Sequence, residues 1–275
     1  SGAAFVLSAF MSNAAATAII LPIALAAAAG TSPRYQAAMV LAIAWAASMG
    51  GLATPVGTPP NLIGLGQLRA AGVDVGFTDW VMIAAPIAIA MLIAMWLVLF
   101  AVFGVRREAV TLRAPAQPRW RRGEVSIAIA LTVAVLGWLA PSLVELLAPG
   151  AAARWTKAHV TEEVVAILAG GLLFVLPGGA PGKPRPALTW DEATRIDWGV
   201  VLLFGGGILL GDLARSTGLT DTWGRALVAW TGASSTWAVV ALCIGVAIVL
   251  SEATSNTATA TLMAPLAIGL ANATH

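Results

Sequence analysis

Apolar residues run along this chain in long blocks, broken by short polar or Gly/Pro interruptions. No Asp, Glu, Lys or Arg occurs in 1–33, 35–68, 80–105, 125–144, 164–182, 226–251 or 253–275. Most of these stretches reach the roughly 20 residues that cross a bilayer as a helix. The breaks divide the blocks further. Residues 1–29 read as two short helical arms meeting near Ser12-Asn13, and Thr31-Ser32-Pro33 is a helix stop and restart. A short helix over 35–49 runs into Gly50, Gly51, Pro55, Gly57, Pro59 and Pro60, and helix resumes over 61–70. Residues 80–104, 124–148, 161–177 and 198–214 read as spans, the third short. Between them lie loops at 105–123, 149–160 and 178–197. Residues 217–235 are polar and Trp-bearing, a pattern for a segment along the membrane interface. Residues 236–271 read as a second pair of arms, with Ser255-Asn256-Thr257 at the turn.

The two pairs of arms are copies. GAAFVLSAFMSNAAATAIILPIA (2–24) aligns with GVAIVLSEATSNTATATLMAPLA (245–267) at a constant offset of 243, with ten of 23 positions identical. Gly2/Gly245, Ser8/Ser251, Ser12/Ser255, Asn13/Asn256 and Pro22/Pro265 are among them. Each copy sets a Ser-Asn pair in the middle of an apolar stretch. Polar side chains at membrane depth are costly and mark functional positions, and paired interrupted segments point to a transporter's binding site.

Composition agrees. The chain is 59% apolar and 10% charged, against about 25% charged in a soluble domain. An all-α polytopic membrane protein follows. Arg106, Arg107, Arg113, Arg119, Arg121 and Arg122 crowd one loop, which the positive-inside rule places in the cytoplasm; no nucleic-acid partner is needed to explain them. The loop around Lys183, Arg185 and Arg195 falls on the same side, and 149–160 on the outer side. Trp80, Trp120, Trp190, Trp198, Trp223 and Trp237 lie near span ends, where an aromatic belt is expected. Cys243 is a lone core thiol, without a disulfide or zinc partner.

The breaks carry the chemistry. A turn at Ser-Asn ends one half-helix and caps the next. The second half-helix then offers free N–H groups and a positive dipole end to an anion, while orphan carbonyls of the first favour a cation such as Na⁺. The stretch from Gly50 to Asn61 reads as an unwound segment. Pro59 and Pro60 fix an extended path there, Gly57 permits unusual backbone geometry, and carbonyls with the Thr58 hydroxyl and Asn61 amide suit a hard monovalent cation. Glu252, at the position of Ala9 in the first copy, is the one acidic residue of the repeats and reads as paired near the tip. Gly205-Gly206-Gly207 is not a phosphate loop and permits close helix packing. No Ser/His/Asp arrangement suggests an enzyme, and His159 and His275 have no partners in sequence.

MSNAAATAIILPIA, GGLATPVGTPPNLIG, IDWGVVLLFGGGILLGDLARSTGL and SEATSNTATATLMAPLA, in this order, resemble the divalent anion:sodium symporter family of di- and tricarboxylate and sulfate carriers. The resemblance implies an inverted-repeat fold with two re-entrant helical hairpins and broken helices, a homodimer in the inner (plasma) membrane, and elevator-type alternating access. It implies transport segments at 1–79 and 198–275, with 80–197 mainly scaffold. Substrate carboxylates would fall on Ser12 and Asn13 and on Ser255, Asn256 and Thr257, with Thr58 beside them. One sodium site would map onto Ser8, Ser12, Asn13 and Gly57, and the other onto Ser251, Thr254 and Asn256. No cofactor is implied beyond Na⁺ as coupling ion. Ala14 stands where the family has Thr, removing one hydroxyl. The family also has a segment upstream and a second unwound Pro-Asn segment, expected some 44 residues past Asn256 by the spacing from Asn13 to Gly57. The expected function is Na⁺-coupled symport of a small dianion, a C4-dicarboxylate first. Sodium-independent exchange, or sulfate or citrate carriage, on the same scaffold is the alternative; a membrane-embedded enzyme is the reading from another class.

Overall fold

The computed structural model of the chain describes residues 1–104, 120–179, 184–196, 198–232 and 235–274. The described residues are predominantly helical, in thirteen helices, and five of these are long and apolar enough to cross a membrane: Pro33–Leu52, Phe77–Phe103, Arg122–Leu147, Trp198–Ser216 and Thr236–Ala253. This is an all-α polytopic membrane protein. The chain divides into two compact units, Ser1–Thr111 with Trp198–His275, and Leu112–Asp197.

The first unit opens with α1 (Gly2–Ser8) and α2 (Asn13–Ala27), the two arms expected from sequence. The strong break between them ends where Ser12, with extended ψ, caps α2. Ser32 caps α3 (Pro33–Leu52), with Pro33 in its first turn, where a missing N–H costs nothing. Ala38, Ile43, Ala46, Ala47, Gly50 and Gly51 are buried in α3. These are mostly small residues, the kind that lets helix backbones approach in a membrane. A Cβ on Gly50 would lie 2.1 Å from the Phe5 carbonyl oxygen, so α1 and α3 meet backbone to backbone there.

Ala53–Thr58 is irregular, and α4 (Pro59–Ala70) follows. The sequence-based expectation of an extended path through Pro59 and Pro60 is corrected here. Both occupy the first turn of α4, whose N–H groups have no helical acceptor and whose φ suits proline; Thr58, at φ −153° and ψ 144°, is the extended residue. Next comes α5 (Phe77–Phe103). The Asp79 carboxylate accepts from Gly76 N–H at its start (3.0 Å), and Gly104 at φ 55° closes it. α5 packs on α3 in this unit, although the sequence reading groups residues 80–104 mainly with the scaffold.

After residue 198 the unit continues with α10 (Trp198–Ser216), α11 (Leu219–Thr231), α12 (Thr236–Ala253) and α13 (Asn256–Thr274). α13 packs against α4, α10, α11 and α12, and α4 also packs on α10. α4, which follows the first copy, therefore packs directly on α13 of the second, and α11 crosses α13. Gly224 of α11 and Gly269 of α13 set that crossing, since a Cβ on Gly269 would lie 2.5 Å from the Thr220 carbonyl oxygen. Pro22 and Pro265 stand inside α2 and α13.

The second unit holds α6 (Arg122–Leu147), α7 (Ala151–His159), α8 (Glu162–Val175) and α9 (Trp190–Ala193). The segment expected as a plain loop at 149–160 contains α7. Its Ala151-Ala152-Ala153 start has the highest helix propensity, and Thr161 caps α8 by accepting from Val164 N–H, bending the pair by 64°. Gly137 lets α6 cross α8 closely at Val165, and Trp138 Nε1 donates to the Glu162 carbonyl (3.2 Å). The described part of the Gly/Pro loop is ordered by the Pro177–Pro186 bridge and by Arg185, whose guanidinium donates to both Glu192 oxygens (2.7 and 2.8 Å). Of the basic loop, only Arg121 and Arg122 lie within the described residues, so its expected cytoplasmic placement rests on sequence, as does that of Lys183.

Candidate functional site

The repeat visible in sequence is a repeat of hydrogen bonds. Ser8 Oγ donates to Asn13 Oδ1 at 2.7 Å, and Ser251 Oγ donates to Asn256 Oδ1 at 2.7 Å. Ser12 Oγ accepts from Ala15 N–H at 3.3 Å, and Ser255 Oγ from Ala258 N–H at 3.1 Å. The backbone matches too: Met11 N–H to Leu7 carbonyl (3.1 Å) corresponds to Thr254 N–H to Leu250 carbonyl (2.9 Å), and Ala16 N–H to Ser12 carbonyl (3.0 Å) to Thr259 N–H to Ser255 carbonyl (2.9 Å). Every one of these pairs keeps the offset of 243.

The same chemistry follows in each copy. The serine hydroxyl holds the Asn carbonyl oxygen back against the first arm. Among the described residues, neither Asn Nδ2 has a protein acceptor, so its two hydrogens are not committed within the protein. The Ser cap takes the N–H of the third helical residue. That leaves the N–H groups of Asn13 and Ala14, or of Asn256 and Thr257, at the positive end of the dipole. Behind the Asn lie the last carbonyls of the first arm. Each tip thus presents donors on one side and oxygens on the other, bridged by one amide.

The first copy is enclosed by the irregular segment. Ser8 is fully buried. A Cβ on Gly57 would lie 2.5 Å from the Gly51 carbonyl oxygen and 2.9 Å from the Ser8 carbonyl oxygen. Gly57 is not among the residues with positive φ, so its glycine is required for closeness of approach; the unusual backbone geometry read from the sequence is not the reason. A Cβ on Gly51 would lie 2.3 Å from Asn13 Oδ1. Thr54 Oγ1 donates to the Ala9 carbonyl in the link between the arms. Asn61 Nδ2 donates to the carbonyls of Gly51 and Thr54, both at 2.8 Å, and Trp80 Nε1 to that of Leu52 (3.0 Å). These bonds close the C-terminal end of α3 and engage carbonyls that the sequence reading left open to a cation. The structure therefore gathers Ser8, Asn13 and Gly57 tightly, with Ser12 exposed at the rim and Thr58 half-buried at the start of α4.

The second copy is more open. Ser251 and Thr257 are half-buried, while Glu252, Thr254, Ser255 and Asn256 are exposed. Thr254 Oγ1 donates to the Leu250 carbonyl (2.9 Å) and shares a hydrogen bond with Thr259 Oγ1 (3.0 Å), a hydroxyl pair that Met11 and Ala16 cannot make in the first copy. Each copy clusters its own residues, and α4, which begins beyond Thr58, packs on α13, which begins at Asn256. Sequence reasoning passed over Gln67 on α4, 1% exposed. The signal was present as the one Gln in LIGLGQL, inside an uncharged stretch.

A family model described as citrate transporter matches residues 1–275. The chain is 32% identical over 278 residues to the sodium-dependent dicarboxylate transporter SdcS of Staphylococcus saprophyticus, covering 94% of this chain and 53% of that protein. The same figures, over 280 residues, hold for SdcS of Staphylococcus aureus strain USA300. The chain spans about half the length of these curated relatives.

Proposed function

The chain belongs to the citrate transporter family, within the divalent anion:sodium symporters, and from that premise we propose that it carries both substrate cradles of a Na⁺-coupled symporter for small dianions, C4-dicarboxylates first. The observation that carries the proposal is the doubled Ser-to-Asn hydrogen bond, at 2.7 Å in each copy. The relatives' names, sodium-dependent dicarboxylate transporter, support the choice of ion and substrate class.

In this reading the substrate carboxylates sit at Ser12 and Asn13 and at Ser255, Asn256 and Thr257, with Thr58 alongside. Sodium takes oxygens from Ser8, Ser12, Asn13 and Gly57 in one copy and from Ser251, Thr254 and Asn256 in the other. The shared amide explains coupling. A cation drawn to Asn Oδ1 and the neighbouring carbonyls fixes the Asn plane, and Nδ2 then faces the anion pre-oriented. Each ligand raises the other's affinity by the same factor. Inward Na⁺ movement supplies the drive, about 2.3 kcal/mol per charge per 100 mV.

Residues 1–79 and 198–275 take the moving role and residues 80–197 mainly the scaffold role. The arms 1–29 and 236–271 act as re-entrant hairpins in a homodimer of the plasma membrane, with elevator-type access. Uptake by the full-length protein in proteoliposomes tests the proposal, with succinate, citrate and sulfate and with or without a Na⁺ gradient. Succinate uptake that follows the gradient is expected. Uptake indifferent to Na⁺ and dependent on internal anion would establish an exchanger instead.

A further inference from the structure

Gln67 leaves one polar atom unaccounted for. Its Nε2 donates to the carbonyls of Gly207 (3.1 Å) and Ile208 (3.4 Å) on α10, which commits both amide hydrogens. The opposite amide orientation would set Oε1 against two carbonyl oxygens, so it is excluded electrostatically. The amide lies in a notch on α10: a Cβ on Gly211 would come within 2.1 Å of Nε2 and 2.3 Å of Oε1. Oε1 is buried and has no hydrogen-bond partner in the protein. Leaving such an acceptor unsatisfied costs about 1–3 kcal/mol.

Gln67, Gly211, Arg215, Thr220, Pro265 and Ile268 line a pocket of about 10 Å³. That volume is about what a single water needs, and it is far too small for a dicarboxylate. The ligand must bring a hydrogen to Oε1. The Arg215 guanidinium on the same wall is paired with Asp212 and has five N–H donors in all, so it can also give one to a ligand oxygen. Its positive charge opposes a bare cation. Water alone satisfies the size, the donor requirement and the charge.

We infer that this pocket holds one ordered water that donates to Gln67 Oε1 and accepts from Arg215. The water completes a polar link between Gln67 on α4 and Arg215 on α10. The site is separate from both cradles and does not depend on what they carry.

The test is a high-resolution structure of the full-length carrier, solved in Na⁺ and again with Tl⁺ in its place, for the wild type and Gln67→Met. The expected result is a peak at hydrogen-bond distance from Oε1, with no anomalous Tl⁺ signal, that is lost in Gln67→Met. A Tl⁺ signal would make the site a cation site. No peak, in maps that resolve other buried waters, would make it empty, and a peak that persists in Gln67→Met would show that Gln67 does not hold it; each overturns the inference. Should Gln67→Met fail to fold, the two wild-type maps still decide between water, cation and vacancy.

Discussion

A methyl group on Gly57 is the smallest change that probes the proposed cation cradle. In Gly57→Ala the new Cβ would sit 2.5 Å from the Gly51 carbonyl oxygen, 2.9 Å from Gly51 Cα and 2.9 Å from the Ser8 carbonyl oxygen. All three are backbone atoms, so no side chain can swing aside. The Gly51 contact must open by about 0.5 Å merely to reach 3.0 Å, which spreads the end of α1 from the end of α3. Overpacking of this kind costs roughly 1–3 kcal/mol. If the cation takes its oxygens there, that cost falls on the Na⁺-bound state. At 1.4 kcal/mol per tenfold, the half-saturating Na⁺ concentration should rise about 5- to 150-fold. Gly64→Ala, in the helix α4 that follows, meets nothing within 4 Å and should leave Na⁺ dependence within about twofold, since a helical Gly-to-Ala change is mildly stabilising. The assay is Na⁺-dependent succinate uptake by the full-length carrier, with citrate and sulfate as competitors. If Gly57→Ala changes anion preference and leaves the Na⁺ dependence alone, the segment reads the anion and the assignment of Gly57 fails.

Four further outcomes are expected. Ser8→Ala leaves Asn13 Oδ1 without its donor in a buried setting and should weaken coupled uptake by about 1–3 kcal/mol, more than Ser251→Ala, whose bond is exposed; equal effects in uptake titrations would show that enclosure of the first copy does not matter. Ala14→Thr adds the hydroxyl that Thr257 has in the second copy and should tighten binding of the native dianion roughly three- to a hundred-fold; unchanged affinities for succinate, citrate and sulfate would mean that position 14 does not face the substrate. Glu192 is held down to about 2 by the Thr189 backbone N–H, by Arg185 and by the Thr189 hydroxyl. Because the folded value lies below the ordinary 4.5, its stabilising contribution is present above 4.5 and is lost as pH falls towards 2, so Glu192→Gln should shallow the acid limb of a thermal-stability profile and a superimposable profile would refute the link. Gln117→Cys in a Cys243→Ser background should resist an impermeant thiol reagent in intact, correctly oriented cells, and rapid labelling would reverse the topology.

Much of the frame was legible because hydrocarbon leaves few options. Apolar blocks of span length must be helices, and the arms, their break points and α5, α6 and α10 lie close to where the pattern puts them. The repeat was legible because it keeps Ser8, Ser12 and Asn13 at one offset, and the structure turns that identity into identical bonds. What could not be read was backbone proximity. Sequence marks Gly57 as permissive but does not say that Ser8 and Gly51 crowd it. It shows an amide at Asn61 but not that both its hydrogens close the end of α3. Pro59 and Pro60 serve equally in an extended path or a helical first turn, and only the Thr58 cap decides. Gln67 faces a helix 140 residues away in sequence, and no local pattern reports such a partner. α7 was hidden because a nine-residue helix has no span-length signal.

Pro22 and Pro265 turn the two tips into levers. Each proline removes one helical N–H from its arm, and each stands nine residues beyond its asparagine, 22 − 13 and 265 − 256. Nine residues of helix make an arm of about 13.5 Å. A change of about 5° at such a joint carries Asn13 or Asn256 by about 1.2 Å, and a displacement of that size directed along the 2.7 Å bond to Ser8 or Ser251 takes it beyond hydrogen-bonding range. Flexure at either proline therefore acts on one Ser–Asn bond and leaves the other alone, and the two tips have separate fulcrums.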